Sequence, residues 1–324
     1  MSQPTLSIVV IGRNEEARLG PTFEALRAIP MDYEVLYVDS ASEDRSVDVA
    51  ARHGARIARL VPSPHLCAAA GRYVGTLLAR ARWILYLDGD MELTPEFARQ
   101  IPEWLCAAEA APGIGGFVGL YQNVHEDGSV RSNLLRQRLD RTEADTFGGA
   151  VLASRAAVLS AGNWDFRVSS YEELDLHSRL NARSYAVRLV PTTMVVHHAT
   201  RLSPVRLLFR MFFPFGKAGR RMRGIGEVLR SRARAGSLLQ FVRFYRYPFV
   251  YLALVASGVI LSLMPFRGSL AGLGLVACGV VYTTWTRGIR STAVFLSFPL
   301  RIVLGIAQYP KEWQPEFNVV EDHV

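Results

Sequence analysis

Cysteine is scarce in this sequence, and its placement excludes two common frameworks. The chain has 3 cysteines in 324 residues, and none has the spacing of a metal site. An odd number of cysteines without a pairing pattern argues against a disulfide-stabilised domain and predicts reduced thiols in a cytoplasmic setting. A signal peptide is also not expected, because the first short apolar run, residues 6–11, has strand length and follows no basic segment.

Acidic residues are almost missing between Arg201 and Arg246, where Glu227 is the only one among 12 basic residues. A basic run of this kind could bind nucleic acid, but it borders an apolar segment. We therefore predict that residues 201–246 form a basic amphipathic juxtamembrane segment with membrane lipids, not nucleic acid, as the partner. Each basic residue near an anionic surface contributes roughly 1 kcal/mol of attraction. A solvated basic face is the alternative.

Long apolar runs are missing from the first 200 residues and are confined to the last quarter of the chain. Residues 249–264 and 270–285 are each close to the lower limit of about 17 residues for a span. Arginines outside both runs predict a transmembrane hairpin with its two ends in the cytoplasm. Residues 294–306 are interrupted by Pro299 and Arg301, which favours an interfacial or re-entrant helix. Two buried helices of a soluble domain are the alternative.

Short β-branched runs alternate with helical patterns in the first 200 residues, which predicts an α/β domain with a mainly parallel sheet. The predicted strands are residues 6–11, 33–38, 57–61 and 83–87. Acidic or amide groups follow three of these strands, at the sheet edge where such folds bind ligands. The predicted organisation is a catalytic domain over 1–200, the basic segment over 201–246, a membrane region over 247–310 and a tail over 311–324.

Two carboxylates, Asp88 and Asp90, flank Gly89 directly after a buried strand. Carboxylates two residues apart at a tight turn can share a hard cation, Mn2+ or Mg2+, that takes its other ligands from water and phosphate. Such an ion would neutralise charge on a leaving diphosphate. The pair alone is a weak signal, and an ordinary turn is the alternative.

Several motifs in order make the chain resemble glycosyltransferase family 2, of the membrane-associated bacterial type that assembles polysaccharides or lipid-linked glycans. The motifs lie in residues 8–16, 38–46, 71–75, 85–90 and 148–176. The resemblance covers roughly residues 5–200 and implies the GT-A fold. It also implies an inverting transferase, whose β-linked product would come from an α-linked donor.

The resemblance implies a role for each matching position on the donor side. Residues expected to hold a nucleotide-diphosphate sugar are Asn14, Glu16, Asp39, Arg72 and Asp88. Asp90, with Asp88, would bind the metal, and His198 or His197 would complete the metal site because imidazole is an acceptable Mn2+ ligand. Arg201 either reaches the diphosphate or belongs to the membrane-surface set.

On the acceptor side, Glu173 takes the place of the family's general base, which removes a proton from the attacking hydroxyl. Adjacent Glu172 is the alternative base, and Asp175 is a further candidate that could instead cap or orient the helix. Trp164 and Asp165 match the acceptor-side block. The family often has Asp where Glu173 stands, and Tyr73 replaces its Asn.

These features together predict transfer of a sugar to a polyprenyl-linked saccharide at the cytoplasmic membrane. The runner-up is a polyprenyl-phosphate glycosyltransferase, which needs no base because its acceptor is already an anion. A nucleotidyltransferase is less favoured, because residues 12–14 lack its Gly-rich, Lys-containing signature. An inactive membrane scaffold is the least favoured alternative.

Overall fold

The computed structural model describes residues 4–125, 127–132, 137–144, 146–199, 216–263, 276–277, 280 and 289–320. The chain divides into two units. The first comprises Met1–Arg201 together with Pro310–Val324, and the second comprises Leu202–Tyr309.

The first unit is built around one sheet, with strand order β10-β3-β2-β1-β4-β8-β6-β9-β5 and β7 paired to β6. Its elements in chain order are β1 Leu6–Gly12, α1 Glu16–Leu26, β2 Tyr33–Asp39, α2 Ser46–Arg52, β3 Arg56–Leu60, α3 Ala68–Leu78, β4 Trp83–Asp88, β5 Met91–Leu93, α4 Pro95–Glu109, β6 Ile114–His125, β7 Val130–Ser132, β8 Val151–Ser154, α5 Arg155–Ser160, α6 Glu172–Asn181, β9 Ala186–Ala199 and β10 Phe317–Val320.

The predicted parallel core is confirmed in β3, β2, β1 and β4, which pair in parallel. β1 is fully buried from Leu6 to Ile11, as its β-branched composition predicts for a strand covered on both faces. Helix α3 approaches β1 closely because glycines face the strand. A methyl group at Gly71 would lie 3.1 Å from Ile11 Cγ2. This close approach brings the next residue, Arg72, to the edge of the sheet.

The other half of the sheet differs from the prediction, because β8 is antiparallel to both β4 and β6. The sheet is therefore mixed rather than mainly parallel. Strand β6, Ile114–His125, lies between β8 and β9 inside the sheet. Gly116 and Gly119 occur there because a side chain would meet the backbone of Leu152 and Thr192. These glycines are thus required by tight strand packing.

The tail, residues 311–324, was predicted to be a separate segment, but part of it joins the sheet. β10 pairs antiparallel with the edge strand β3, from Phe317 opposite Leu60 to Val320 opposite Ile57. Residues 310–320 therefore belong to the same unit as the sheet.

The described part of the second unit is helical: α7 Gly216–Arg234, α8 Leu238–Phe244, α9 Arg246–Ser262 and α10 Ile289–Ala307. α7 packs on α10 at a point where Gly226 meets Gly305. Arg223, Glu227 and Arg232 are buried in this unit. These buried charges revise the expectation that the whole basic segment faces lipid headgroups. Arg220 and Arg230 are only half-buried and keep some exposed surface.

Within the described residues, no helix is both long enough and apolar enough to cross a membrane. The expected hairpin therefore gains no support from α9, and most of its second half, 270–285, lies outside the described residues. The expected interfacial helix, residues 294–306, falls within α10, which continues through Pro299.

Candidate active site

The loops after β1 and β2 lock together at the carboxyl ends of these strands. The Asn14 N–H donates to Ser42 Oγ at 2.9 Å, and the Glu43 N–H donates to Asn14 Oδ1 at 2.9 Å. Asn14 has a left-handed φ of 58°, which asparagine tolerates better than most residues. The predicted donor residue Asn14 thus shapes the loop that would surround a ligand.

Glu16 and Asp39 are each engaged within these loops. Arg45 lies 2.6 Å from Glu16 Oε1, and this hydrogen-bonded pairing lowers the pKa of Glu16. Asp39 is fully buried, where its carboxylate accepts the Ser42 N–H at 3.0 Å and lies 3.3 Å from Arg59 Nε. Both residues lie at the predicted edge of the sheet, and their contact with a nucleoside stays a prediction.

Arg72 connects the strand side of the site with the helix side. Its Nη2 donates to Asp88 Oδ1 at 2.6 Å, and its Nη1 donates to Glu172 Oε1 at 2.9 Å. The guanidinium carbon lies 4.9 Å from the ring centre of Trp164. Arg72 therefore joins the two carboxylates, and only 1% of its surface is exposed. The expectation that Arg72 helps to hold the donor stays a prediction.

The loop before β8 completes the wall around Asp88. A methyl group at Gly149 would lie 2.5 Å from Asp88 Oδ2 and 3.1 Å from Arg72 Nη2. The buried hydroxyl of Tyr121 holds this loop, because its single proton lies within hydrogen-bond reach of the carbonyls of Phe147 and Ala150, at 2.9 and 2.8 Å. Burial raises the pKa of Asp88, and the charge of Arg72 opposes that increase.

The first turn of α6 carries the two candidate bases. Tyr171, directly before the helix, has a left-handed φ of 65°. Glu172 is 6% exposed and bound to Arg72, whereas Glu173 is half-buried and has greater access to solvent. Burial and then the charge of Glu172 raise the pKa of Glu173 to about 8, despite the opposing charge of Arg72. A group with this pKa suits proton transfer near neutral pH.

The remaining acceptor-side candidates are structural in their contacts. Asp175 is fully buried and accepts two hydrogen bonds from Arg179, at 3.0 and 2.7 Å. This pairing agrees with the alternative that Asp175 orients its helix, and a catalytic role for Asp175 stays a prediction. Trp164 is 1% exposed, and Asp165 is 6% exposed and bonded to Arg167 at 3.0 Å. Neither has the exposed surface that a direct contact with an acceptor requires.

A histidine and a carboxylate face each other beyond Asp88. His197 Nε2 lies 3.1 Å from Asp90 Oδ2, and His197 Nδ1 lies 2.8 Å from Asn123 Oδ1. A proton on Nδ1 satisfies Asn123, so the lone pair of Nε2 points at the carboxylate unless a proton or a cation lies between them. Burial lowers the pKa of His197, but Asp90 outweighs that effect and the net pKa is raised.

His198 points elsewhere, because successive residues of a strand face opposite sides of the sheet. Its Nε2 lies 2.7 Å from Glu92 Oε1. The structure therefore pairs His197, rather than His198, with Asp90.

The arrangement around Asp90 fits a divalent cation. Glu15 adds a third carboxylate nearby, and burial together with the charges of Asp90 and Asp88 raises its pKa to about 7. In the part of the chain that is described, no three or more His, Cys, Asp or Glu side chains gather closely enough to hold a metal by themselves. Asp90 and His197 could supply two ligands, which leaves positions for the water and phosphate oxygens that such ions prefer.

Two polar residues of the site escaped the sequence analysis. Glu15 lies in the motif of residues 8–16, but its proximity to Asp90 is not visible in the sequence. Asn123 had no signal at all, because only the pairing of β6 with β9 places it opposite His197. Arg201, predicted to reach a diphosphate, lies outside the described residues.

A model of the family described as Glycosyl transferase family 2 matches residues 7–169. This match covers β1 to the loop before α6 and includes the Asp88–Asp90 turn. No curated protein sequence matches the chain significantly.

Solved structures share the fold. The mannosyltransferase PcManGT from Pyrobaculum calidifontis, in complex with GDP-Man and Mn2+, has a TM-score of 0.58 at 13% identity and covers 94% of this chain and 88% of its own. TarS 1–349 from S. aureus, in complex with UDP, has a TM-score of 0.50 at 14% identity and covers 98% of this chain and 97% of its own.

Two longer chains are matched over about half their length. A crystal structure of S. aureus TarS has a TM-score of 0.51 at 13% identity and covers 98% of this chain, which spans 57% of TarS. GalNAc-T7 with UDP, GalNAc and Mn2+ has a TM-score of 0.52 at 15% identity, with coverage of 70% of this chain and 48% of its own. At such identities the likeness shows the GT-A fold alone. Since the family model spans half of the sequence, the chain belongs to glycosyl transferase family 2.

Proposed function

We propose that this protein is an inverting glycosyltransferase that moves a sugar from a nucleotide-diphosphate sugar to a lipid-linked saccharide. The observation that carries the proposal is the convergence of Asp90 and His197 with the Arg72-bridged pair Asp88 and Glu172, next to Glu173. The site thus combines ligands for a cation with a base of suitable pKa. Complexes of the similar structures with UDP, with GDP-Man and Mn2+, and with UDP, GalNAc and Mn2+ support the donor class.

On the donor side, the loops at Asn14 and Asp39 would enclose the nucleoside. Asp90 and His197 would hold Mn2+ or Mg2+, which when bound neutralises charge on the leaving diphosphate. Asn123 keeps the Nε2 of His197 directed at Asp90, and Arg72 keeps Asp88 beside the turn.

On the acceptor side, Glu173 takes the proton of the attacking hydroxyl. Glu172 is already bound to Arg72, so Glu173 is the carboxylate with free capacity for this transfer. A raised pKa makes Glu173 a stronger base than an ordinary glutamate once it is ionised. A hydroxyl acceptor needs this base, which favours a saccharide over a lipid phosphate.

The lipid-linked nature of the acceptor and a location at the cytoplasmic membrane rest on the sequence. The basic residues between 201 and 246 suit anionic lipid headgroups or a diphosphate-lipid head, and the apolar runs after residue 247 suit contact with a bilayer. This part of the proposal needs its own test, because the described helices do not support a span.

The donor and acceptor are tested together by incubating the protein with Mn2+, a panel of sugar nucleotides and a lipid extract, then identifying products by mass spectrometry. The expected product is a lipid-linked saccharide that is one sugar longer, with inverted anomeric configuration. Asp90→Asn should abolish it, whereas Asp140→Asn, on the exposed surface, should not. If calorimetry of the protein with Mn2+ detects no heat of binding for any sugar nucleotide, the donor assignment is contradicted.

Glu173→Gln separates the two acceptor classes. With a hydroxyl acceptor, we expect turnover to fall by about 10²–10⁴-fold, because the base is removed while the side chain keeps its size. Donor affinity, measured by calorimetry, should stay within about twofold, since the proposed donor contacts lie elsewhere. Undiminished turnover would instead indicate a phosphate acceptor, which attacks without a base.

A further inference from the structure

The segment before β10 reaches the ligand side of the sheet. Because β10 runs antiparallel to β3, its first residue, Phe317, pairs with Leu60 at the carboxyl end of β3. The Val61 N–H also donates to the Glu316 carbonyl at 2.8 Å. Residues just before Phe317 therefore cross the same sheet edge at which β1, β2 and β4 present their polar residues.

Trp313, in this crossing segment, contacts aromatic rings from two other parts of the unit. Its ring centre lies 5.8 Å from that of Phe166 in an edge-on arrangement, and 5.6 Å from that of His65 in the loop after β3. All three side chains are half-buried, whereas the neighbours Glu312 and Gln314 are exposed. The aromatic group thus retains surface that can meet a ligand.

Phe166 links this group to the catalytic side. Its ring packs edge-on against Tyr73 at 4.8 Å, and Tyr73 follows Arg72 on α3. Its carbonyl accepts from Cys67 Sγ at 3.2 Å. Phe166 belongs to the loop between α5 and α6, and this loop leads directly into Glu173. Because this loop connects Phe166 to the proposed base, a group that contacts Phe166 would lie near the acceptor.

We propose that the Trp313 ring, which Phe166 supports edge-on, forms the aromatic wall of the acceptor site, and that a sugar ring of the acceptor stacks on its face. This inference rests on the proposed function. The faces of a pyranose carry C–H groups, which pack well on flat, half-exposed aromatic rings that are held in place by their neighbours. The wall would determine which saccharide is accepted, because a ring must lie flat on it while its hydroxyl meets Glu173.

A purely structural role for Trp313 makes a different prediction. The ladder between β10 and β3, together with the packing of Phe317 on the core, attaches the tail independently of Trp313. A tail anchor should therefore be as sensitive to loss of Phe317 as to loss of Trp313. A saccharide-binding wall should be sensitive to Trp313 alone.

The test compares Trp313→Ala, Trp313→Phe and Phe317→Ala in the full-length protein. Trp313→Ala should raise the KM for the acceptor about tenfold or more, by analogy with loss of a stacked aromatic contact, and leave the KM for the donor within about twofold. Trp313→Phe should recover part of the loss because it keeps an aromatic face. Phe317→Ala should lower the melting temperature with little change in acceptor KM.

The inference is overturned if Trp313→Ala changes acceptor KM no more than Phe317→Ala does, or if donor KM rises equally. Its failure is distinct from failure of the proposed function, which would appear as no transfer by the wild-type protein. In that case, calorimetry can still measure the affinity of soluble oligosaccharides for the wild-type protein and for Trp313→Ala. Equal binding by the two proteins, or no binding, would reject the wall.

Discussion

At the scale of single residues, the main finding is that two adjacent glutamates have different environments. Glu172 is neutralised by Arg72, while Glu173 lies next to that pair, where burial and the charge of Glu172 raise its pKa. Adjacent helix positions point in directions about 100° apart, so neighbours in sequence need not share partners. The sequence could name both residues, but only packing distinguishes the proposed base from the residue that contacts Arg72.

The pH dependence of turnover should expose this division of roles. The pKa of Glu173 is raised to about 8, so the fraction of active, ionised base should increase with pH through that region. Glu172→Gln removes a neighbouring negative charge and leaves Arg72 less neutralised. Both changes lower the pKa of Glu173, so the rising limb of kcat should move to lower pH.

The rising limb is obtained by measuring kcat between about pH 6 and pH 9, a range that brackets the pKa of a base of this kind. Glu96→Gln, at an exposed position on α4, is the matched control and should leave the limb unchanged. An unchanged limb in Glu172→Gln would mean that Glu173 is not the group that titrates.

At the scale of elements, the sequence predicted the parallel half of the sheet better than the antiparallel half. Strands β1 to β4 alternate with helices in sequence, so local patterns fix both their existence and their order. β6 contains glycines that locally indicate loops, and their reason lies in strands far away in sequence. The same limit applies to the pairing of Asn123 with His197, which depends on the register of β6 and β9.

The crossing of α7 and α10 gives a prediction for the second unit. Methyl groups at Gly226 or Gly305 would lie 2.8 or 2.7 Å from the opposite glycine Cα, so neither helix can accommodate one without moving. Gly226→Ala should destabilise this packing by roughly 1–3 kcal/mol, a usual cost of overpacking.

Limited proteolysis with mass spectrometry can follow this change, because cleavage within residues 202–309 should become faster. Ala233→Leu, at an exposed position of α7, is the control and should leave the cleavage rate unchanged. Equal protection of Gly226→Ala and the wild-type protein would show that the crossing tolerates a larger separation.

At the scale of the whole molecule, the tail completes the sheet. Deletion of residues 310–324 removes β10 and exposes the backbone donors and acceptors of β3, an edge that favours aggregation. We expect a lower melting temperature by thermal unfolding and a larger species by sedimentation. Deletion of residues 321–324 alone keeps β10 and should behave as the full chain does. The same result for both deletions would show that β3 tolerates an open edge.

The position of β10 also affects how the protein is made. Strand β3 emerges from the ribosome early, but its outer partner follows only after residues 202–309 have been translated. During that interval the nascent first unit carries an unpaired strand, while the hydrophobic helices of the second unit are being produced. Until β10 has been synthesised, we expect folding to depend on a chaperone that covers β3, or on early binding of the second unit's helices to another surface.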